Sequence, residues 1–329
     1  MAIRKLLVAL LVIALALAIG SCKKEAAQNK QLTKLRVLLD WTPNTNHAGL
    51  YVARDLGYFA EEGLEVEIIQ PGSNTVESIV AAGKAEFGFS YQESVTLARA
   101  QAEPIRIKSV AAVIQHNTSG FAALESSGIK SPKDFAGKRY GSSGWPSELD
   151  ILRQVLDAEG IAENKVEIVQ GVYDFQSTIG KDADFEWIYY GWDGIQAGLQ
   201  GNKIKFMPIR DIDPVFDFYT PVIISSDDYL AGNGDTAKAF LKALGRGYDH
   251  CAAQPAKSAE LLCKAVPELD ARLVAASLEY LAGEFKADAP RWGEQREEVW
   301  QRFADWMLSR GLISAKVPAT EFFSNGYLP

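Results

Sequence analysis

The feature that most constrains this chain is an alternation of patterns, in which short strand-type runs and helical-period runs take turns from residue 35 to about residue 190. Residues 35–39 are a run apolar except at Arg36, and Leu64, Val66 and Ile68 alternate with Glu65 and Glu67 at the period of two expected of a half-buried strand. The strand signal returns at 87–90, 105–110, 140–142, 166–169 and 185–189. Helical patterns lie between, at 47–56, closed by Gly57, and at 76–82, 94–102 and 149–158. Such alternation predicts an α/β fold whose parallel-type sheets are covered by helices on both faces.

A length of 329 residues exceeds what one core holds, since single cores stop growing near about 250 residues. Two lobes are therefore expected. The last hundred residues change character: Phe240, Leu241, Leu244 and Tyr248 recur at helical spacing, as do Leu273, Val274, Leu278 and Leu281. A third set, Trp292, Val299, Trp300, Phe303, Trp306 and Met307, follows, and the regular spacing predicts that its tryptophans pack into the first lobe. There is no internal repeat.

The net charge of −8 argues against nucleic acid as a partner, because binding a phosphate backbone needs a basic surface. The start of the chain carries Arg4 and Lys5, then a fourteen-residue apolar run over 6–19, then Gly20, Ser21 and Cys22. That order is a secretory signal, and the run is short of the about 20 apolar residues that span a bilayer. The segment Ile19-Gly20-Ser21-Cys22 resembles a bacterial lipobox, which implies lipid attachment at Cys22 and a signal peptide at 1–21. Cleavage there removes Arg4 and Lys5, taking the charge from −8 to −10. Residues 22–33 are polar and read as a tether, and the expected location is the cell envelope, outside the cytoplasm. Cys251 and Cys263 then remain, free to bridge or to stay apart.

In an open α/β sheet, ligands bind beyond the carboxyl ends of the strands. Four loops stand there with unusual chemistry. The first is Asp40-Trp41-Thr42-Pro43-Asn44-Thr45-Asn46-His47, in which one asparagine is expected to cap the next helix. The others are Tyr91-Gln92-Glu93, then Ser142-Ser143-Gly144-Trp145-Pro146, and Tyr190-Gly191-Trp192-Asp193. Together they offer aromatic faces, amides, hydroxyls and carboxylates, and no Lys or Arg. Phosphate or sulfonate sites usually supply a cation, so a flat neutral or weakly cationic ring suits this lining better. Asp193 is the first choice for accepting its exocyclic amine, with helix capping as the alternative. The candidate ligand-binding set from these loops is Trp41, Asn44, His47, Tyr91, Gln92, Ser143, Gly144, Tyr190, Trp192 and Asp193, joined by Gln115 from outside them, with Trp41 and Tyr190 as stacking faces from opposite lobes. His47, His116 and His250 lack metal-ligand spacing, and no nucleophile elbow, Walker loop or dinucleotide fingerprint is present. No catalytic residue, metal or cofactor is expected, and the chain is expected to be a monomer.

The run LDWTPNTNHAGLYVARDLGYFAEEGLEVEIIQPG, residues 39–72, resembles the opening of periplasmic binding proteins related to the fungal thiamine-pyrimidine synthases. The likeness continues through AEFGFSYQESVTLARA, IQHNTSGFAAL, SPKDFAGKRYGSSGW and YYGWDGIQA, and is strongest toward bacterial binders of formylaminopyrimidine, a thiamine precursor. The resemblance implies a type II periplasmic-binding fold with the ligand held between two lobes joined by two crossings, and an extended apolar run at each of 121–124 and 219–224 places the crossings there. Lobe 1 would be 34–122 plus 223–329, and lobe 2 would be 123–222. It also implies an ABC permease and ATPase as partners. Asp193 departs from the pyrimidine binders, which carry Glu there. The alternatives within the fold are riboflavin, another small aromatic or a sulfonate. A secreted pyrimidine-processing enzyme fits less well, because the cysteine-rich run of the synthases is missing.

Overall fold

The computed structural model describes residues 31–329. The signal peptide, the lipid attachment at Cys22 and most of the tether lie outside the described residues.

Two five-stranded sheets organise the chain. The first has the order β2-β1-β3-β10-β4, from β1 (Thr33–Leu38), β2 (Leu64–Ile69), β3 (Phe87–Ser90), β4 (Ile107–Ala112) and β10 (Val222–Ser226). The second has the order β7-β6-β8-β5-β9, from β5 (Ser119–Leu124), β6 (Arg139–Ser142), β7 (Glu167–Gln170), β8 (Phe185–Tyr189) and β9 (Ile204–Pro208). Strands β1 and β3 run parallel, as do β6 with β7 and β8. Both sheets are nevertheless mixed, which corrects the expectation of parallel-type sheets: β10 is antiparallel to β3 and β4, and β5 is antiparallel to β8 and β9.

The two apolar runs expected to be crossings are these antiparallel strands. Every residue of β10 is buried, as are the first five of β5, because each is covered on both faces and hydrogen-bonded on both edges. The chain passes between sheets just before each of them, over 113–118 and 209–221. The lobe boundary expected after residue 122 therefore falls inside β5.

The helices that position the site are α1 (Ala48–Asp55), α2 (Val76–Ala81), α3 (Gln92–Arg99), α4 (Glu148–Ala158), α5 (Gly234–Ala253), α6 (Pro255–Ala265), α7 (Ala271–Leu281) and α8 (Glu297–Ser309). Helix α1 lies directly on α5. A Cβ on Gly49 would come 2.5 Å from the Tyr248 ring, and one on Gly247 would fall on the Gly49 carbonyl, so two glycines allow the backbones to meet.

The tail tryptophans are core residues, but not all of one lobe. Trp292 and Trp300 join clusters built on the first sheet. Trp306 instead packs with Phe303, Met307 and Phe216 in the cluster of the second sheet, its ring edge-on to Phe216 at 5.4 Å. Helix α8 buries Val299, Trp300 and Ala304 against one core and Phe303, Trp306 and Met307 against the other, so its apolar surface is wider than one stripe. Cys251 and Cys263 are free thiols rather than a disulfide.

Candidate functional site

The four expected loops converge between the sheets. Parallel pairing places the carboxyl ends of β1 and β3 side by side, and likewise those of β6 and β8. After β1 the chain turns through Asp40 into a short 3-10 turn, Thr45–His47, capped by Asn44, whose side chain accepts the Asn46 N–H at 2.9 Å. The Asn44 N–H donates to His47 Nδ1 at 3.1 Å, which fixes the ring proton on Nε2, where it is donated to Asp40 Oδ1 at 2.6 Å. His47 is fully buried with its ring edge-on to Phe89. Burial opposes ionisation of Asp40, yet the hydrogen bond from His47, aided by the Tyr91 hydroxyl, holds its carboxyl below the ordinary range.

Tyr91 leaves β3 and meets Trp145 of the β6 loop edge-on, with centroids 5.1 Å apart. Two residues on, the buried Glu93 accepts the Ser147 N–H from that same loop at 2.8 Å. Burial raises the Glu93 carboxyl above its usual range, and Ser147 offsets part of that rise. The β6 loop is held from within by Glu148, whose carboxylate accepts the backbone N–H groups of Ser143, Gly144 and Trp145.

Strand β8 delivers Tyr189 and Asp193. The Tyr189 hydroxyl lies 3.2 Å from Thr220 Oγ1, and burial raises its ionisation far above normal, with Glu93, Asp40 and Asp193 adding to the rise. Asp193 sits in a π-helical turn, Tyr190–Gly194, and accepts the Tyr189 N–H at 3.2 Å. Burial pushes its carboxyl up to about 6, although backbone N–H groups pull the other way. This turn is docked onto α7: Ser277 Oγ donates to the Gly191 carbonyl and lies 2.7 Å from Thr45 Oγ1. The groups that shift Asp40, Glu93, Asp193 and Tyr189 are other carboxyls, hydroxyls, backbone N–H groups and the His47 ring, with no lysine or arginine among them.

The structure thus brings together His47, Tyr91, Ser143, Gly144 and Asp193 from the expected set. Others are placed elsewhere. Tyr190 packs between Phe206 and Tyr280 at 4.8 and 5.1 Å, because adjacent residues leaving a strand face opposite sides. Its neighbour Tyr189 is the aromatic at the centre. Trp41 is 63% exposed and does not oppose Tyr190. Trp192 packs on the core of the first sheet. Gln92 is fully buried, clasping the Tyr219 N–H at 2.8 Å and donating to the Val299 carbonyl at 3.2 Å. Gln115 donates to the Glu294 carbonyl at 3.1 Å, and both polar ends of Asn44 serve its own turn. These three amides hold the frame.

Residues the sequence reading missed are Asp40, Glu93, Glu148, Tyr189, Thr220 and Ser277. Asp40 and Glu93 stood inside the quoted loops, whereas Ser277 comes from a helix about 180 residues after Glu93 and carries no local signal. The surface hollow lined by Arg210, Asp217, Arg296 and Arg302, of about 200 Å³, lies apart from this convergence, and its Arg210 is bridged to Glu284. Among the described residues no cluster of His, Cys, Asp or Glu is arranged to hold a metal ion.

Residues 44–258 match the family described as NMT1/THI5 like. The formylaminopyrimidine-binding protein of Halalkalibacterium halodurans is 29% identical over 326 residues, covering 95% of this chain and 98% of its own. A 4-amino-5-hydroxymethyl-2-methylpyrimidine phosphate synthase of Legionella pneumophila is 27% identical, covering 74% of this chain and 77% of its own. Among solved structures, the periplasmic aliphatic sulphonate binding protein of Escherichia coli superposes with a TM-score of 0.68 at 17% identity, covering 88% of this chain and 91% of that one. The α/β architecture is that of the type II periplasmic-binding fold.

Proposed function

The chain belongs to the NMT1/THI5-like family, and from that premise we propose that it is the substrate-binding component of an ABC importer for a thiamine-related aminopyrimidine. The observation that carries this reading is the convergence of Asp40, Glu93 and Asp193 with Tyr91 and Tyr189 at one place between the sheets. Asp40 is already answered by His47, whereas burial disfavours the charged forms of Glu93 and Asp193, and a bound amine relieves that cost. An aminopyrimidine supplies N–H donors at the edge of a flat ring, so one ligand satisfies the carboxyls and covers the tyrosine faces. The near-full-length likeness to a protein named as a formylaminopyrimidine binder supports the same ligand class.

Catalysis is not needed to account for the site. The pyrimidine phosphate synthase of Legionella pneumophila covers 74% of this chain, against 95% for the formylaminopyrimidine-binding protein. The two lobes, 34–118 with 222–329 and 119–208, would close on the ring and present the closed form to a permease and its ATPase. Cys22 would carry the lipid that keeps the protein at the outer face of a membrane. Replacing it, Cys22→Ser, is expected to release the protein from the membrane fraction, and continued partitioning after signal removal would refute the anchor.

The deciding experiment is mass spectrometry of the small molecule released on denaturing the purified protein, followed by calorimetric titration with formylaminopyrimidine. A co-purifying pyrimidine that binds without turnover is the expected result. Release of a flavin, or product formation from the pyrimidine, would overturn the proposal.

A further inference from the structure

The loop between β6 and α4 has the geometry of an anion cradle, and the chain fills it with its own side chain. Gly144 adopts a φ of +85°, a left-handed turn that glycine allows, and the N–H groups on either side of it point to one spot. In that spot lies the Glu148 carboxylate, 3.1, 2.8 and 3.0 Å from the backbone nitrogens of Ser143, Gly144 and Trp145. The Ser143 hydroxyl at 3.2 Å and the Tyr140 hydroxyl at 2.7 Å complete its shell. Glu148 is 1% exposed. The N–H of Ser147 is answered by Glu93 from the other sheet's loop. Four backbone donors of this loop, those of Ser143, Gly144, Trp145 and Ser147, are therefore already taken, all by carboxylates of this chain.

We propose that Glu148 is a specificity-determining residue, a built-in anion that occupies the N–H nest of the β6–α4 loop and closes the cleft to anionic ligands, so that only neutral and amine-bearing solutes are admitted. This rests on the reading of the inter-sheet site as a solute site. A second anion entering there finds no free N–H among these groups and meets Glu148 and Glu93, which act on each other across the loop. Like charges without a mobile counterion repel strongly in so dry a place. The same carboxylate stiffens the loop that presents Trp145 to Tyr91.

The test is to remove the internal anion and offer a free one. Glu148→Ala, in the full chain, vacates a space of carboxylate size ringed by donors. Formate or acetate is expected to raise the melting temperature of Glu148→Ala saturably, because a ligand that binds only the folded state stabilises it, while sodium chloride at equal ionic strength does not. Wild type should show no such saturable rise. The isosteric Glu148→Gln, which leaves no space, should also be unresponsive. Absence of a formate effect in Glu148→Ala, or an equal effect in wild type or Glu148→Gln, overturns the assignment. If Glu148→Ala does not fold unaided, it is refolded with and without formate: recovery only with the anion supports the proposal, and failure in both overturns it. Because the probe is a small carboxylate and not the solute, these results stand apart from ligand identity. Failure of wild type to bind aminopyrimidine would sink the functional reading and leave the anion titration interpretable.

Discussion

Asp193 carries opposite signs for stability and for function. Its carboxyl is raised to about 6 by burial, above the ordinary value of 3.8. An acid that is more basic folded than unfolded makes the native state lose ground as pH climbs from the unfolded value through the folded one. For the unliganded protein that loss is at most about 3 kcal/mol, and less to the extent that water reaches the partly exposed group. Asp193→Asn keeps an oxygen for the Tyr189 N–H, so it should be more stable than wild type at pH 8, with the gap closing by pH 4. Thermal unfolding at both values reads this directly. The same variant should bind aminopyrimidine about tenfold more weakly, since a donor now faces a donor. A variant less stable than wild type at pH 8 would assign the carboxylate to capping its own turn. Tyr189 and Tyr190 separate in the same way. Tyr189→Ala should cost about 1–3 kcal/mol of ligand affinity. Tyr190→Ala should instead cost stability, because its ring packs on Gly194, Phe206 and Tyr280. The strand end at Tyr189 was legible, but the residue that opens the loop was taken as the ligand face, and nothing local says which of two adjacent tyrosines turns into the site. Gln92 was misread for a related reason: an amide at a strand end reads as ligand-facing, yet its partners Tyr219 and Val299 lie far along the chain.

At the scale of elements, the α1–α5 contact sets where His47 stands, two residues before Gly49. Gly247→Ala drives a methyl group into the Gly49 carbonyl, and backbone cannot yield as a side-chain end can. Destabilisation of about 1–3 kcal/mol is expected from chemical denaturation. Gly198 is the internal control: it is helical, and a Cβ there meets nothing within 4 Å. Its alanine variant should be stabilised by about 0.5–1 kcal/mol. Equal effects at the two positions would contradict the close approach. Helices were the most legible elements, since each amphipathic stripe is contained in one stretch of sequence. The strands β5 and β10 read as extended apolar runs, but their antiparallel partners are set by tertiary pairing that local pattern does not encode. The helix α8 shows the limit from the other side. Its apolar spacing was plain, while the division of Trp300 and Trp306 between two cores depends on where the second sheet ends up.

At the scale of the whole molecule, the two passages between the sheets are fastened to each other by His116. Its Nδ1 lies 2.7 Å from Asp217 and its Nε2 lies 3.1 Å from Asp288, so both nitrogens face acceptors and the doubly protonated ring satisfies both. The hydrogen bond to Asp217 raises the His116 ionisation above 6.5, with burial opposing it and Asp288 adding to it. The surrounding charges are Arg210, which acts on Asp217, and Arg296, which lies 3.7 Å from Asp288. Asp217 also accepts the Asn117 N–H at 2.9 Å, so it stays anchored when the histidine changes state. A histidine raised in the folded state adds stability that is complete below about 6.5, its unfolded value, and is lost as pH rises through the higher folded value. Asp288 is 60% exposed, so the partner that matters is Asp217, joining residue 116 of the first passage to residue 217 of the second. His116→Gln should therefore be less stable than wild type at pH 6 and nearly equal to it at pH 9. Hydrogen exchange should show faster opening of 113–118 and 214–221 in wild type at pH 9 than at pH 6, after correction for intrinsic rates, and no such change in His116→Gln. A stability difference that is constant from pH 6 to pH 9 would mean that the ring acts by packing alone and that the passages are not tied by its charge.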